Sequence, residues 1–179
     1  EIRMKMHIPP AALVAAAALA VLPGQASAVQ YTQLVPAKSK VGFQYEQMGV
    51  KVDGSFKTFT SEISFDPAEP AKGRATLEVD LASVKTDSDR RDGYFANKAI
   101  DVATSPKATF TVTKPQKLTE SGTQKISGDL TIKGKTVPVV AELDIARTDA
   151  GLETAGKVDV TWQDFGVEPP NMGFVSVAD

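Results

Sequence analysis

The side chains that most often carry enzyme chemistry are almost absent from this sequence. Its 179 residues include one histidine, His7, and no cysteine. A Ser-His-Asp triad, a cysteine nucleophile and a zinc site of the usual kind all require such residues in the folded domain. His7 lies in an N-terminal segment that is expected to be removed, as argued below. The sequence therefore predicts no catalytic site of these classes and no histidine or cysteine metal site.

Carboxylates are the remaining side chains that could catalyse a reaction or bind a metal ion. A catalytic pair of carboxylates is expected on an apolar face, because burial there separates the two pKa values. The acidic residues instead fall on polar faces of the predicted strands or in turns. Examples are Glu78, Asp80, Asp129, Glu142, Asp144 and Asp159. Since no acidic loop has calcium-binding spacing either, we predict that the protein is not an enzyme and has neither catalytic residues nor metal ligands.

The balance of charge argues against nucleic acid as a partner. The 20 basic and 22 acidic side chains give a net charge of -2. No basic excess is therefore available to displace the counterions of a phosphate backbone. A hydrophobic fraction of 42% with 23% charged residues is typical of an ordinary globular domain.

The first 28 residues have the three-part pattern of a secretory signal peptide. Arg3 and Lys5 make the start basic, and residues 11–22 carry no charge. Ala26-Ser27-Ala28 then places small residues at the positions that a signal peptidase reads. The uncharged run is shorter than the roughly 20 residues of a membrane-spanning helix. We predict cleavage after Ala28, a periplasmic location, no membrane-spanning helix, and a mature domain over residues 29–179.

The mature segment is a succession of half-buried β-strands. Apolar and polar residues alternate with the period of two that is typical of such strands. Segments with this alternation cover 41–46, 56–65, 74–81, 108–113, 126–132, 137–145 and 157–162. The apolar residues of each segment form a row that is expected to face inward. Residues 86–105 lack the alternation, and a short helix or an ordered loop is predicted there.

Seven or eight antiparallel strands, each with one apolar face, must close or pair their sheets to bury those faces. The alternatives are a sandwich and an up-and-down barrel. The tight connection Lys133-Gly134-Lys135 and the sequential meander favour the barrel. We therefore predict a single all-β domain, an antiparallel up-and-down barrel of about eight strands with one short helix or ordered loop.

Several short motifs occur in a defined order along the chain. They are SKVGF at 39–43, GSFKTF at 54–59, ISFD at 63–66, SVKT at 83–86, RD at 91–92, YF at 94–95, SPKATF at 105–110, GDLTIKG at 128–134, VPV at 137–139 and DFG at 164–166. With these motifs the chain resembles the YceI family over about residues 31–177. The resemblance implies an exported, lipocalin-like barrel with a long apolar tunnel that binds a polyisoprenoid.

The sequence departs from the family pattern at two places. The family usually has a histidine a few residues after the first strand's phenylalanine, where Gln47 or Met48 stands here. It also usually continues beyond the DFG motif into one more strand, about where this sequence stops. The last strand of the barrel is therefore expected to be missing. Because an unpaired edge invites pairing with another chain, reduced stability and dimerisation are expected.

The inward-facing rows supply the candidate ligand-binding residues. Such side chains either fill an eight-stranded barrel or leave room for one small ligand, and the resemblance favours the second alternative. The candidates from these rows are Phe43, Tyr45, Phe56, Leu77, Val79, Phe110, Leu130, Ile132 and Trp162. Phe95, from the segment without alternation, is a further candidate, because it is expected to plug or line the end of the barrel. An isoprenoid lipid or quinone can bind them through area alone, since each buried methylene contributes about 0.8 kcal/mol. No cofactor beyond that ligand is expected.

Arg90, Arg91 and Tyr94 are the candidates for binding a ligand headgroup. An arginine can hold a diphosphate, a carboxyl group or a quinone oxygen. The alternative is that Arg91 and Asp92 form structural ion pairs that fix residues 86–105 over one end of the barrel. We favour that structural role for Asp92, and the sequence leaves both roles open for the arginines.

Three classes of function remain. The first is an exported carrier or scavenger of an apolar isoprenoid, such as a quinone or a polyprenyl lipid. The second is a periplasmic interaction module whose partner belongs to a membrane electron-transfer or stress-response system. The third, and weakest, is an enzyme that acts on an apolar substrate inside the barrel.

Overall fold

A computed structural model describes residues 3–13, 39–47, 49–66, 68–113, 119, 121–149 and 151–167. The strands are β1 (Arg3–Leu13), β2 (Val41–Gln47), β3 (Val50–Phe56), β4 (Phe59–Ser64), β5 (Arg74–Asp80), β6 (Val84–Lys85), β7 (Lys107–Val112), β8 (Gly122–Ile132), β9 (Lys135–Thr148) and β10 (Gly151–Thr161). The helix α1 (Asp89–Tyr94) continues into a π-helical turn (Phe95–Ile100), and short 3-10 turns cover Pro70–Lys72, Leu81–Ser83 and Trp162–Phe165. The prediction of one short helix within residues 86–105 is confirmed.

The strands form where apolar and polar residues alternate in the sequence, as the hairpin of β8 and β9 illustrates. In β8, Ile126, Gly128, Leu130 and Ile132 are buried, whereas the residues that alternate with them are half-buried. The two-residue connection to β9 consists of Lys133 and Gly134, both with positive φ, of 53° and 72°. This is the backbone of a type I′ turn, whose twist matches that of a hairpin. The predicted hairpin therefore follows from local turn chemistry.

Two kinked strands close the sheet into a barrel. β3 and β4 are separated only by Lys57 and Thr58, and β5 and β6 by the turn Leu81–Ser83. Across the two kinks, the backbone N–H of Lys57 donates to the carbonyl oxygen of Ser83 at 3.1 Å. The N–H of Asp80 donates to the carbonyl oxygen of Thr58 at 3.0 Å. Each pair of short strands therefore acts as one long, bent strand.

With β3 and β4 counted as one strand, and β5 and β6 as another, eight strands follow one another in a ring. Every neighbouring pair is antiparallel, and the ring runs in sequence order from β1 to β10 and back to β1. This is the predicted up-and-down barrel, and that prediction is confirmed.

The strand that completes the ring is β1. It lies antiparallel between β10 and β2, with Met6 opposite Val158 and Met4 opposite both Val160 and Tyr45. β1 belongs to the segment predicted to be a cleaved leader, so the edge of β10 that the sequence analysis left unpaired is covered here. Cleavage after Ala28 stays a prediction, and residues 14–38 and 168–179 lie outside the described residues.

The barrel interior holds a continuous hydrophobic core. Phe165, Ile100 and Val41 are its most enclosed large side chains. A smaller cluster of Phe65, Ile145 and Leu152 lies apart from it. Trp162 is buried as predicted, although β10 ends at Thr161 and the tryptophan begins the following 3-10 turn.

Two glycines make room for aromatic rings inside the barrel. Gly54 of β3 lies opposite Phe43 of β2, and a Cβ on Gly54 would stand 2.2 Å from Cζ of that ring. A Cβ on Gly128 would stand 2.5 Å from the ring of Phe110. Both rings therefore occupy space that a side chain on the neighbouring strand would otherwise fill.

No helix in the part of the chain that the structure describes has the length and apolar character needed to cross a bilayer.

Candidate ligand cavity

An apolar cavity of about 60 Å³ lies in the barrel interior, beneath the helical cap formed by residues 89–100. Eight of the ten predicted ligand-binding residues line it. They are Phe56, Leu77, Val79, Phe95, Phe110, Leu130, Ile132 and Trp162. The structure therefore brings together most of the apolar residues that were predicted to face the barrel interior.

The cavity exists because small residues occupy inward positions on three strands of the same side of the barrel. Ala108 on β7, Ala141 on β9 and Gly156 on β10 all border it, and the two alanines are each 4% exposed. At these positions a larger side chain would fill the space. The wall has few polar groups, since only Thr109, Lys157 and the indole of Trp162 among its residues carry polar side-chain atoms. The Lys157 ammonium forms an ion pair with Glu142 at 2.9 Å.

Phe43 and Tyr45 do not line the cavity but support its wall. The Phe43 ring stacks on Phe95 with centroids 5.4 Å apart and an interplanar angle of 11°. Tyr45 meets Trp162 edge to face at 5.9 Å. Burial raises the pKa of Tyr45, and the charge of Arg91 acts in the opposite direction. Both residues are buried as predicted, one layer behind the cavity.

Trp162 joins the cavity wall to this aromatic cluster. Its side chain borders the cavity and lies across Phe95 with centroids 6.2 Å apart. Its indole N–H is fully enclosed, and no acceptor for it occurs among the described residues. A buried donor without an acceptor is uncommon in folded proteins.

The start of the helical cap is fixed by Asp92. Its Oδ1 accepts hydrogen bonds from the backbone N–H of Thr86 at 2.8 Å and from the Thr86 hydroxyl at 2.6 Å. Its Oδ2 lies 3.1 Å from the Lys85 ammonium. Burial acts to raise the pKa of Asp92, but the bonds from Thr86 and Lys85 outweigh it and hold the pKa below its usual range. These contacts are those expected of a structural anchor.

The opposite end of the cap is tied to the barrel by Lys133. Its ammonium donates to the carbonyl oxygens of Ala99 at 3.3 Å and Gly166 at 3.4 Å. The cap is therefore held at both ends by polar contacts, while Phe95 fixes its centre through apolar ones.

The headgroup candidates lie on the cap but not on the cavity wall. Arg90 is exposed, and Arg91 is half-buried and paired with the Asp87 carboxylate. Tyr94 is half-buried and packs against the main core cluster. In this arrangement Arg91 has the structural ion pair that the sequence analysis gave as its alternative role.

Sequence reasoning did not name several cavity-lining residues as candidates. They are Leu81, Ile100, Ala108, Ala141, Leu143, Gly156, Val158, Phe165 and Val167. For Leu81, Leu143 and Val158 the signal was present, because they continue the same inward rows. Phe165 lies in a DFG motif without kinase context, and Ile100 lies in the segment that lacks alternation. Neither had a periodic signal.

The described residues contain no group of three or more histidine, cysteine, aspartate or glutamate side chains placed to hold a metal ion.

Replacing Asp92 with alanine is expected to lower the free energy of unfolding by about 1–3 kcal/mol at pH 7, because the N–H and hydroxyl of Thr86 lose their half-buried acceptor. The folded-state pKa of Asp92 is lowered, so its contribution is present above the unfolded pKa and is lost as the pH falls through the folded value. The difference between the two proteins should therefore shrink below about pH 4. Denaturant titrations from pH 2.5 to 7 measure it.

Asp89→Ala is the matched control for this change. Asp89 pairs with the same Lys85 ammonium, but its side chain is 94% exposed, and exposed ion pairs contribute little. An equal effect of both substitutions, or a loss that does not depend on pH, would contradict the anchoring role of Asp92.

The chain is similar to a known protein family and to several curated relatives. The family model described as YceI-like domain matches residues 33–179. A UPF0312 protein of Photorhabdus laumondii is 31% identical over 154 residues, which is 80% of this chain and 79% of the relative. Protein YceI of Escherichia coli O157:H7 is 31% identical over 138 residues, 72% of this chain and 70% of its own length.

Two solved structures share the fold. Burkholderia cenocepacia BcnA superimposes with a TM-score of 0.59 at 25% identity, over 71% of this chain and 99% of that one. The Campylobacter jejuni YceI protein gives a TM-score of 0.52 at 28% identity, over 68% of this chain and 75% of that one.

Proposed function

The chain belongs to the YceI-like family, and from that premise we propose that it is an exported carrier or scavenger that binds an apolar isoprenoid inside the barrel. The observation that carries this proposal is the apolar cavity beneath the helical cap, bordered by eight of the candidate residues. Apolar pockets with few polar groups are typical of small-molecule sites. The ligand classes are quinones and polyprenyl lipids, and the compartment is the periplasm.

The free cavity is smaller than such a ligand. Its volume is about 60 Å³, whereas a cavity of about 150 Å³ takes a benzene molecule. An isoprenoid tail therefore enters only if the interior rearranges. Phe95 and Ile100 both belong to the cap and border the cavity, and Phe95 is the better placed of the two to move, because it is 8% exposed and Ile100 only 1%. The polar anchors at Asp92 and Lys133 then act as the hinges of the cap.

A cavity-filling substitution tests the proposal. Protein purified from the periplasm of an expressing cell is extracted with organic solvent, and the extract is analysed by mass spectrometry. We expect an isoprenoid lipid at near-stoichiometric yield from the unaltered protein. Ala141→Leu, which fills the cavity from β9, should reduce that yield about tenfold or more, because the tail loses its space.

Val140→Leu is the matched control, since Val140 is the preceding residue of β9 and is 57% exposed on the outer face. It should retain the lipid. Absence of lipid from every preparation, or an equal yield from the Ala141 variant, would contradict the proposal.

A second function is favoured by the packing of the interior. Apart from the small cavity, the core side chains fill the barrel, and Phe43, Phe95 and Trp162 make direct ring contacts. A filled barrel suits an interaction module that serves a membrane electron-transfer or stress-response system, with a redox protein of the membrane as its partner. The lipid extraction separates the two functions.

A further inference from the structure

The end of the barrel that carries the helical cap, called the cap end below, has basic residues at its strand ends. The strand register brings these ends together, since Val41 at the start of β2 lies opposite Phe56 at the end of β3, and Phe56 lies opposite Val84 of β6. The β8–β9 turn lies at the same end, because its Lys133 reaches the cap at Ala99. Six of these strand ends have a lysine in or next to them: Lys40 before β2, Lys57 after β3, Lys85 in β6, Lys107 in β7, Lys133 after β8 and Lys135 in β9.

Ion pairs neutralise only part of the positive charge at the cap end. Asp87 pairs with Arg91. Asp89 and Asp92 both pair with Lys85. Within the part of the chain that the structure describes, no carboxylate forms an ion pair with five exposed cations of this end, which together are called the basic surface: Lys40, Lys57, Arg90, Lys98 and Lys135. Their charge is therefore available to a partner.

The balance of charge changes sign along the barrel axis. Nine basic and six acidic side chains lie at the cap end, in residues 40, 57–58, 80–107, 132–136 and 162–167. Four basic and seven acidic side chains lie around the described turns of the opposite end, in residues 46–51, 62–74 and 144–153. The field of such a charge distribution turns the cap end toward a negatively charged surface.

The position of the cavity indicates which negatively charged surface this is. The cap covers the cavity, so a ligand that enters beneath the cap approaches the barrel from the cap end. An isoprenoid is driven out of water by its apolar surface, and its source is therefore a lipid bilayer. Clusters of four to eight lysine and arginine residues are also the usual protein feature that binds acidic phospholipids. The ligand and the charge thus favour the same partner.

We infer that the cap end docks on the surface of an anionic lipid bilayer through its basic surface. Acidic phospholipids such as phosphatidylglycerol supply the negative charge, and the barrel lies on the bilayer without crossing it. In this orientation the cap faces the lipid from which the ligand comes. This inference rests on the proposed function, because the isoprenoid ligand is the reason for choosing a bilayer over an acidic protein.

Co-sedimentation of the full chain with sucrose-loaded vesicles tests the docking. One set of vesicles contains equal parts of phosphatidylcholine and phosphatidylglycerol, and the other contains phosphatidylcholine alone. At low salt we expect the protein to sediment with the anionic vesicles only. This binding should be lost as the salt concentration rises to about 0.5 M, because the ions screen the charges.

A triple variant tests whether the basic surface makes the contact. Lys57→Gln, Arg90→Gln and Lys98→Gln together remove three of its five charges. Each basic residue near an anionic bilayer contributes about fivefold to the partition coefficient, so this variant should bind the anionic vesicles on the order of 100-fold more weakly.

The matched control makes the same change in net charge away from the cap end. Lys51→Gln, Arg74→Gln and Lys125→Gln replace three exposed residues on β3, β5 and β8, and this protein should bind less than about threefold more weakly, because its charges lie beyond about one Debye length from the bilayer. Since all six side chains are exposed, both variants should keep a thermal midpoint within a few degrees of the unaltered protein.

The outcomes separate the docking from the proposed function. Equal loss of binding in the two triple variants, or equal binding to both kinds of vesicle, overturns the docking through the basic surface. Binding to soluble polyglutamate but to neither kind of vesicle overturns the bilayer as partner and favours an acidic protein. The proposed function survives each of these results if the solvent extraction still recovers an isoprenoid. Docking as expected, with no isoprenoid in any extract, supports the docking and contradicts the proposed function alone.

Discussion

Phe95→Ala is expected to lower the free energy of unfolding by about 3–5 kcal/mol, the usual cost of truncating a buried phenylalanine. Phe95 is 8% exposed and is the point at which the helical cap enters the barrel. Its ring lies 5.4 Å from the Phe43 ring, 6.0 Å from Phe56 and 6.2 Å from Trp162, measured between centroids. Its removal takes away these contacts and enlarges the cavity from above.

Guanidinium titrations of the two proteins measure the loss, with Lys98→Ala as the control. Lys98 lies on the same π-helical turn but is exposed, so its substitution should change stability by less than about 0.5 kcal/mol. A loss below about 1 kcal/mol for Phe95→Ala would mean that the cap is not held by this side chain. The folded fraction of the Phe95→Ala variant should also bind the small isoprenoid ketone geranylacetone with a lower Kd than the unaltered protein, because its cavity is larger.

Removal of residues 1–28 is expected to lower the free energy of unfolding on the order of 3–5 kcal/mol and to produce dimers or larger species. β1 aligns with β10 from Arg3 to Leu13 and also pairs with β2. Without it, two strand edges expose backbone N–H and carbonyl groups, each lost hydrogen bond costing about 1 kcal/mol. Exposed edges of this kind pair with other chains. Thermal unfolding and light scattering compare the shortened and full-length proteins.

Adding the strand back as a peptide makes this experiment specific. A synthetic peptide of residues 3–13 should raise the thermal midpoint of the shortened protein and return it to a monomer. A scrambled peptide of the same composition should do neither. If the shortened protein is monomeric and as stable as the full chain, the barrel closes without β1, which contradicts the closing role given to that strand.

The architecture could be predicted because alternation is a local property that the barrel preserves. In β5 and β7 the residues that alternate in the sequence face each other in the sheet, as in the pairs Leu77 with Phe110 and Val79 with Ala108. The kinks at Lys57 and at Leu81 could not be predicted in this way. They depend on hydrogen bonds between segments about 25 residues apart, such as that from the Thr58 N–H to the Ser83 hydroxyl.

The sequence predicts which residues face the barrel interior, but not which of them border the cavity and which lie behind its wall. The inward rows identify which faces meet inside, and Phe56, Phe110 and Ile132 do line the cavity. Periodicity carries no information about which inward residue borders free space and which is covered by another side chain. Phe43 and Tyr45 are covered because Phe95 and Trp162 stand in front of them, and those two come from a helix and a turn. The strand pattern could not reveal that layer.

The glycines beneath the aromatic rings have a consequence for how this barrel can vary during evolution. Gly54 cannot acquire a side chain while the ring of Phe43 stands 2.2 Å from the position of its Cβ. The same holds for Gly128 beneath Phe110, where the carbonyl oxygen of Thr111 also lies 2.7 Å away. Phe43 and Gly54 are therefore expected to change together. A lineage that replaces Gly54 must first shorten Phe43, and one that has filled the glycine position cannot regain the ring by a single mutation. At Gly128 the backbone oxygen of Thr111 excludes a Cβ even without the Phe110 ring.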